Sequence, residues 1–535
     1  MKRRTFLKTT AGAALAAPSI HRATAQTAPA RNETLILVQE YGPNSMDMQG
    51  IGAAQPVNGV SLNCYDTLIR FKRVPFADGI MTHDLKEYEP ALATSWQTAS
   101  DGMSCTFKLR EDAQFHSKRP VTAKDVKWSM DRAVSIGGFA TTQMAAGSLE
   151  KPEQFVAVDD KTFRIDFLRR DKLTMPNLGV TIPIVYDSET ALANANGDPW
   201  AKDYLKNNVA GSGAFRVESW KPGTETIYVR NDDWKCGPMP QLRRVVARDI
   251  PSPSTRRALI ERGDADMSYG LPPKDFKDLA EAGKIRVAAV PVPNAIWYVA
   301  LNAANPPFND VRLRQAVAWA IPYEKIMSAA LFGRGVPMWG GPEKVGKIGW
   351  PVASPYSYNI EKAKALAAAA TGGAGISTTL VFDAGSATIA EPMGILVQES
   401  LAQIGIKVEL NKIPGANFRG ELNKKTAPMV INRFGGWLDW PDYFFFWNYH
   451  GKNSIFNVAS YQNPAMDKLI DGARFATDPA AYEPQVRGFL QMGMDEVPMI
   501  PVCQPFHDVA MQKYMSGYTY WPSREPDFRF LVKGA

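Results

Sequence analysis

The residues whose types best suit a chemical task are concentrated in one short segment, residues 435–450. Eight of its sixteen side chains are aromatic, whereas aromatic residues make up 10% of the whole chain, and two carboxylates, Asp439 and Asp442, lie among them. A partly desolvated carboxylate attracts an ammonium group, and aromatic rings add cation–π attraction and flat apolar contact. The segment is therefore either a binding site for a cationic group or a piece of hydrophobic core with solvated aspartates. The aromatic residues are Trp437, Trp440, Tyr443, Phe444, Phe445, Phe446, Trp447 and Tyr449.

The surrounding pattern predicts that part of this segment is a loop. An apolar run at 429–434 predicts a strand, two glycines stand directly before Trp437, and Pro441 follows Trp440. Glycine and proline at the end of a strand indicate a turn or loop. We therefore expect some of the aromatic side chains to face a cleft, while Phe445 and Phe446 belong to the core.

Motifs for catalysis or metal binding are not found in the sequence. It contains neither HExxH nor GxSxG, and its five histidines and four cysteines have no metal-ligand spacing. We therefore expect a protein that is not an enzyme and that requires no metal and no cofactor.

The net charge of +7 is misleading because the first 25 residues carry five basic side chains and no acid. Removing those five leaves +2 over the other 510 residues, which is too little for nucleic-acid binding. Arg3 and Arg4, a short Ala-rich apolar stretch and small residues before Gln26 are typical of an export signal. We predict a twin-arginine signal at 1–25, with an ordinary secretory signal as the alternative, and a protein free in the periplasm.

Four cysteines lie far apart along the chain. In an oxidising compartment they form one or two disulfides or remain buried free thiols, and the sequence does not decide the pairing. They are Cys64, Cys105, Cys236 and Cys503.

Periodic patterns predict a mixed α/β chain. Residues 34–38 form an apolar run typical of a buried strand, and the stretch 100–170 contains alternating, hairpin-like segments. A helix with Pro392 near its start precedes Gly405 and a further alternating strand. This helix–turn–strand order predicts a parallel sheet in 360–410.

Several segments, in the right order and spread over almost the whole chain after residue 25, resemble the extracytoplasmic solute-binding proteins of ABC importers, the peptide/nickel-binding family (family 5). The family's peptide binders have Trp, two residues and then Asp. Here one residue separates Trp437 from Asp439, and the run 439–442 is similar to the family's Asp-Tyr-Pro-Asp. The other similar segments are EPALATSW at 89–96, PVTAKDV at 120–126, GSGAF at 211–215, PFNDVR at 307–312 and YQNP at 461–464.

The resemblance implies a two-lobed α/β periplasmic-binding-protein fold, of the large three-domain variant of type II, with the ligand cleft between the lobes. It implies three domains: domain I is discontinuous, domain II is inserted in it, and domain III is the second lobe. The bounds we expect are 26–72 with 208–285 and 500–535 for domain I, 73–207 for domain II and 286–499 for domain III.

The resemblance also implies roles for five residues. Asp439 pairs with a cationic group of the ligand, Trp437 and Trp440 are aromatic walls, and Tyr41 contributes from the other lobe. Arg433 either meets a ligand carboxylate or is an ordinary exposed arginine. The implied ligand is a short peptide or peptide-like amine, and the implied partner of the monomeric protein is a membrane permease. An opine, an oligosaccharide or a metal chelate is the alternative ligand, and a periplasmic hydrolase the alternative function.

Overall fold

The computed structural model describes residues 30–292, 295–337, 352, 354–452 and 456–534, so the predicted export signal at 1–25 lies outside the described residues. The strands are β1 (Thr34–Gln39), β2 (Ile69–Pro75), β3 (Met81–Pro90), β4 (Ala93–Thr98), β5 (Ser104–Leu109), β6 (Phe155–Asp159), β7 (Thr162–Asp166), β8 (Phe215–Lys221), β9 (Glu225–Arg230), β10 (Arg244–Asp249), β11 (Met267–Tyr269), β12 (Arg286–Pro291), β13 (Ala295–Leu301), β14 (Gly335–Pro337), β15 (Ile376–Asp383), β16 (Ile406–Ile413), β17 (Met429–Gly435), β18 (Met499–Met511), β19 (Met515–Ser516) and β20 (Val532–Lys533).

Helices fill most of the connections between these strands. They are α1 (Val57–Cys64), α2 (Ala123–Ser135), α3 (Gly138–Ala145), α4 (Thr174–Leu178), α5 (Ser188–Ala193), α6 (Lys202–Asn207), α7 (Pro253–Arg262), α8 (Pro273–Ala282), α9 (Val311–Ala320), α10 (Tyr323–Lys325), α11 (Ile360–Thr371), α12 (Ala387–Ala402), α13 (Gly415–Asn423), α14 (Pro441–Asn448), α15 (Pro464–Arg474) and α16 (Pro479–Glu496). Short 3₁₀ turns lie at Arg31–Glu33, Pro152–Gln154 and Ala384–Ser386, and a π-helical turn at Ile326–Ala330.

A twelve-stranded sheet runs through the molecule in the order β16-β15-β17-β13-β18-β11-β1-β10-β9-β8, with β12 and β14 also paired to β18. Strand β18 is shared by two halves of this sheet. Its residues 499–505 pair with β13 and β14, and its residues 506–511 pair with β12 and β11. We call the half with β1 and β8–β12 the first half-sheet and the half with β13–β17 the second half-sheet. The two lobes are built on these two halves.

A separate four-stranded antiparallel sheet, β4-β5-β7-β6, carries helix α2 on one side. The helix begins with a capping box in which the Thr122 hydroxyl accepts a hydrogen bond from the backbone amide of Asp125. The Asp125 carboxylate in turn accepts from the amide of Thr122 at 3.1 Å. This reciprocal pair satisfies amides that the first helical turn leaves without partners, so the local sequence fixes where α2 starts.

The second half-sheet contains the predicted parallel pair, because β15 and β16 run parallel over their full length. Helix α12 connects them but begins at Ala387, so Pro392 lies inside the helix rather than at its start. The proline removes only the one hydrogen bond that its own nitrogen would donate to the carbonyl four residues earlier. Val397 and Leu401 of this helix are buried in the lobe core and keep it in place.

The cores of both lobes are apolar and the four cysteines lie within them. All four are free thiols and buried, which is the second of the two arrangements left open by the sequence. Of the helices that the structure describes, none has the length and apolar character needed to cross a membrane.

Candidate ligand-binding site

A cavity of about 300 Å³ lies where the two half-sheets meet. Glu40 and Tyr41, which directly follow β1, line it from the first half-sheet. Trp297 of β13 and Arg433 of β17 line it from the second half-sheet, and residues 505–508 of β18 cross its wall. A ligand in this cavity would therefore contact both lobes. Its volume is at the lower end of the roughly 300–1,000 Å³ that ligand pockets occupy, which suits a small solute.

Two of the five predicted site residues, Tyr41 and Arg433, line this cavity together. The Tyr41 side chain is 50% exposed, and its pKa is raised by burial of the hydroxyl and lowered in part by the Arg433 guanidinium. Burial also raises the pKa of Glu40, while Arg256 and Arg433 lower it. The Arg433 side chain makes no ion pair and no hydrogen bond within the described part of the chain, so its charge is free to act on the cavity.

The other three predicted residues form a second group. Trp437 is half-buried, and its ring packs edge-on against Phe139 at 5.2 Å between centroids. Trp440 lines a separate hollow of about 470 Å³ together with Lys172. The Lys86 Nζ stands 5.7 Å from the centre of the Trp440 ring. Trp440 thus lines a second crevice, and neither Trp437 nor Trp440 is among the residues that line the first cavity.

Asp439 is exposed to water, yet protein surrounds it closely enough that burial raises the pKa of its carboxyl, an effect that Lys86 partly offsets. Asp439 is not among the residues that line the first cavity or the hollow beside Trp440. Within the described residues the carboxylate has no hydrogen-bond or ion-pair partner. It lies in the electrostatic neighbourhood of Tyr520, whose pKa it helps to raise.

Most of the segment after Trp440 is a buried helix, whereas the sequence pattern indicated a loop at Pro441. Pro441 begins helix α14, a position at which proline is favoured because its missing amide hydrogen is not needed there. Asp442 is buried, forms an ion pair of 3.0 Å with Lys172, and accepts a hydrogen bond of 2.8 Å from the Tyr482 hydroxyl. The expected core position of Phe445 is confirmed, whereas Phe446 is only half-buried.

Two neighbouring residues of the cavity, Arg524 and Glu525, were missed by the sequence analysis. The carboxyl of Glu525 accepts hydrogen bonds from the Tyr269 hydroxyl at 3.2 Å and from the Gln55 amide at 3.3 Å, and burial raises its pKa to about 7. Arg524 has a left-handed backbone with φ of 66°, which is unusual for a residue other than glycine. The sequence contains no indication of these two residues because the segment after β19 has no periodic pattern. Only the fold brings that segment to the cavity.

The two remaining arginines of the cavity are already occupied by the protein. Arg334 pairs with Asp508 through two nitrogens. Arg256 donates three hydrogen bonds to the backbone carbonyl oxygens of Ile250, Pro251 and Gly270. The cavity therefore has two arginines that hold the structure together and two, Arg433 and Arg524, with side chains available to a ligand.

Comparisons with known proteins identify relatives of this chain. Residues 87–456, more than two thirds of the chain, match the middle region of the bacterial extracellular solute-binding proteins, family 5. A curated relative, the probable D,D-dipeptide-binding periplasmic protein DdpA of Escherichia coli K12, is 29% identical over 478 residues, which is 88% of each chain.

Solved structures share the fold at lower identity. The dipeptide-binding protein of Pseudoalteromonas sp. SM9913, solved with Met-Leu, has a TM-score of 0.81 at 22% identity and covers 94% of this chain and 100% of its own. The binding protein AgaA of A. tumefaciens R10, solved with agropinic acid, has a TM-score of 0.78 at 22% identity, with 94% and 99% covered. The two-lobed fold and the match over 87–456 together show that the chain belongs to the bacterial extracellular solute-binding proteins of family 5.

Proposed function

We propose that this protein is the periplasmic solute-binding component of an ABC importer and that its ligand is a short peptide or a peptide-like amine. The protein captures the ligand between its lobes and delivers it as a monomer to a membrane permease. The observation that carries the proposal is the cavity of about 300 Å³ lined from both half-sheets, since a solute there gains contacts from both lobes only when they approach. A ligand shifts an equilibrium between two conformations only by its preference for one of them.

The proposal assigns the amino group of the ligand to Asp439, which does not line that cavity, so the ligand extends from the cavity toward Asp439. Its carboxylate has no partner in the described chain, stands between Trp437 and Trp440 in sequence, and is partly desolvated. A hydrogen bond to a charged group contributes about 1.5–3 kcal/mol, which corresponds to roughly 10- to 150-fold in affinity. The names of relatives support a peptide, because DdpA is a probable D,D-dipeptide-binding protein and the structure from Pseudoalteromonas holds Met-Leu.

The test begins with identification of the ligand. Native mass spectrometry of the purified protein, followed by calorimetry with a panel of D- and L-dipeptides, should find a peptide bound at one copy per chain and released intact. Recovery of a non-peptide amine such as an opine would replace the substrate class, and AgaA with agropinic acid is the structural precedent for that outcome. Recovery of cleaved peptides would indicate a hydrolase instead.

The role of Asp439 is tested by Asp439→Asn, which removes the charge and keeps the shape. Affinity for a peptide with a free amino group should fall about 10- to 150-fold. Asp160→Asn is the matched control, because Asp160 is an exposed carboxylate in the separate four-stranded sheet's β6–β7 turn. Equal affinities of the Asp439 variant and the unaltered protein would contradict the assigned role.

A further inference from the structure

A small cavity of about 20 Å³ lies beside α1 and β2, apart from the cavity between the half-sheets. Its wall is built from three stretches of chain that are far apart in sequence, 61–70, 179–184 and 521–529, and none of its lining residues also lines the cavity between the half-sheets. A space of roughly 10–15 Å³ is enough to hold one water molecule. The small cavity therefore has room for a single particle of about that size.

Arg70 of β2 lines this cavity as a buried cation with too few partners. The residue is 9% exposed. Its Nη2 atom donates a hydrogen bond of 3.3 Å to the carbonyl oxygen of Pro90 and lies 3.7 Å from the Glu89 carboxylate. Its Nε and Nη1 atoms are buried and have no hydrogen-bond partner within the described residues, although the guanidinium carbon stands 5.9 Å from the centre of the Trp234 ring. A buried polar group without a protein partner commonly binds a water molecule or an ion instead.

Two other donors on the wall also have fewer partners than they can serve. Ser61 of α1 is buried, and its hydroxyl has no hydrogen-bond partner in the part of the chain that the structure describes. Arg529 is buried as well and donates from Nε and Nη2 to Asp527 at 2.8 and 2.7 Å, whereas its Nη1 forms no hydrogen bond within that part of the chain. Asp527 itself does not line the cavity. Three donors that lack acceptors therefore meet around one small space.

The charges around this cavity favour an anion over a water molecule. Burial lowers the pKa of the Arg70 guanidinium, and the largest charge effect on it is repulsion by Arg529. The one carboxylate on the wall, Asp66, already accepts hydrogen bonds from the Trp234 indole at 3.1 Å and from the Ser212 hydroxyl at 2.9 Å. Two arginines and one aspartate give the wall a formal charge of +1. An anion within reach of both guanidiniums would offset their mutual repulsion and accept charge-assisted hydrogen bonds.

We propose that Arg70, Arg529 and Ser61 bind one small monovalent anion of the chemical class of chloride. A chloride ion is only slightly larger than a water molecule, and it accepts hydrogen bonds without donating any, which suits a wall of N–H and O–H donors. Oxyanions such as sulfate and phosphate are too large for a cavity of about 20 Å³. The ion joins α1 and β2 to the C-terminal segment 521–529, and its binding is independent of the solute and of the function proposed above.

The direct test is long-wavelength diffraction from crystals of the unaltered protein grown in sodium chloride. Chloride scatters anomalously under these conditions and the oxygen of a water molecule does not. We expect an anomalous peak in the cavity within hydrogen-bond distance of Arg70 and Ser61, and we expect it to disappear from crystals grown in sodium gluconate. A water molecule at this position, with no anomalous peak in chloride, would overturn the inference.

Thermal unfolding tests the same site in solution. Chloride replaces gluconate from about 1 mM to about 300 mM at constant ionic strength, and the Tm should rise by about 2 °C, because a ligand that binds only the folded chain stabilises it. Arg70→Gln should abolish this rise. The milder Ser61→Ala should shift it to about tenfold higher chloride. Arg248→Gln is the matched control, because Arg248 is exposed on β10 and does not line the cavity. Equal chloride dependence in the Ser61 variant, the control and the unaltered protein would refute the site.

Discussion

The ion pair between Lys172 and Asp442 connects two parts of the molecule that the cavity does not. Lys172 precedes α4 in the part that carries the four-stranded sheet, and Asp442 lies in the first turn of α14, after the second half-sheet. The two groups are 3.0 Å apart, with side-chain exposures of 23% and 0%. The same ammonium group donates hydrogen bonds to the carbonyl oxygens of Ala473 and Arg474. We expect this contact to act as a latch on the closed form.

The size of the effect follows from what Lys172→Met leaves behind. The Oδ2 atom of Asp442 has no hydrogen-bond partner in the described residues, so the lysine is what neutralises it there, and only the Tyr482 hydroxyl would still serve the carboxylate. Removing one partner of a buried pair costs about 3–5 kcal/mol. The retained hydrogen bond and the partial exposure of Lys172 reduce this to about 2–3 kcal/mol, or about 30- to 150-fold in an equilibrium constant.

If the contact exists only when the lobes are closed, this loss appears in ligand affinity. The dissociation rate of the bound ligand should rise by most of that factor and the association rate should change little, because the open form lacks the contact. Stopped-flow kinetics of Lys172→Met measure the dissociation and association rates of the ligand. Urea unfolding of the same variant measures its free energy of unfolding. The double variant Lys172→Met with Asp442→Asn should recover part of the loss, since no buried charge remains. A dissociation rate equal to that of the unaltered protein would refute the latch.

Two further predictions concern stability. Gly213→Ala should destabilise the fold by more than about 3 kcal/mol in a urea titration, because its Cβ would lie 2.5 Å from the backbone nitrogen of Tyr65, and backbone cannot move aside as a side chain can. The control is Gly420→Ala, at an exposed helical position with open space around it, which should be neutral or stabilising in the same titration. Glu525, with a native pKa of about 7 against 4.5 unfolded, stays protonated longer in the folded chain, so stability falls as the pH rises from 4.5 to 7, by about 3 kcal/mol. Glu525→Gln should remove that part of the slope, and an unchanged slope would contradict the assignment.

Local patterns in the sequence predicted the elements that depend on local interactions. The start of α2 follows from its capping box, and the parallel pair in the second half-sheet follows from a helix, a glycine turn and an alternating strand. The start of α14 was missed because Pro441 was interpreted as a loop residue, although proline is equally at home in the first turn of a helix. A local pattern with two meanings needs tertiary contacts to select one of them.

The candidate site could be predicted only in part because its residues are far apart in the chain. Tyr41 and Arg433 line one cavity, and their roles, like that of Asp439, remain predicted ligand contacts. Arg524 reaches Gly435 across 89 residues of sequence, and neither composition nor periodicity records such an approach. The unpaired charge of Arg524 becomes visible only when all its neighbours are known.

Strand β18 constrains how the two lobes can move relative to each other. Its thirteen residues belong to both half-sheets, so the lobes share one continuous piece of backbone rather than a slack linker. Pro501 and Pro505 lack amide hydrogens, so β18 donates fewer backbone hydrogen bonds near residues 503–506, where its pairing passes from one half-sheet to the other. Rotation of one lobe against the other is then concentrated in a few torsion angles about a single axis. Such a joint would convert occupancy of a small cavity into a displacement at the far edges of the two lobes.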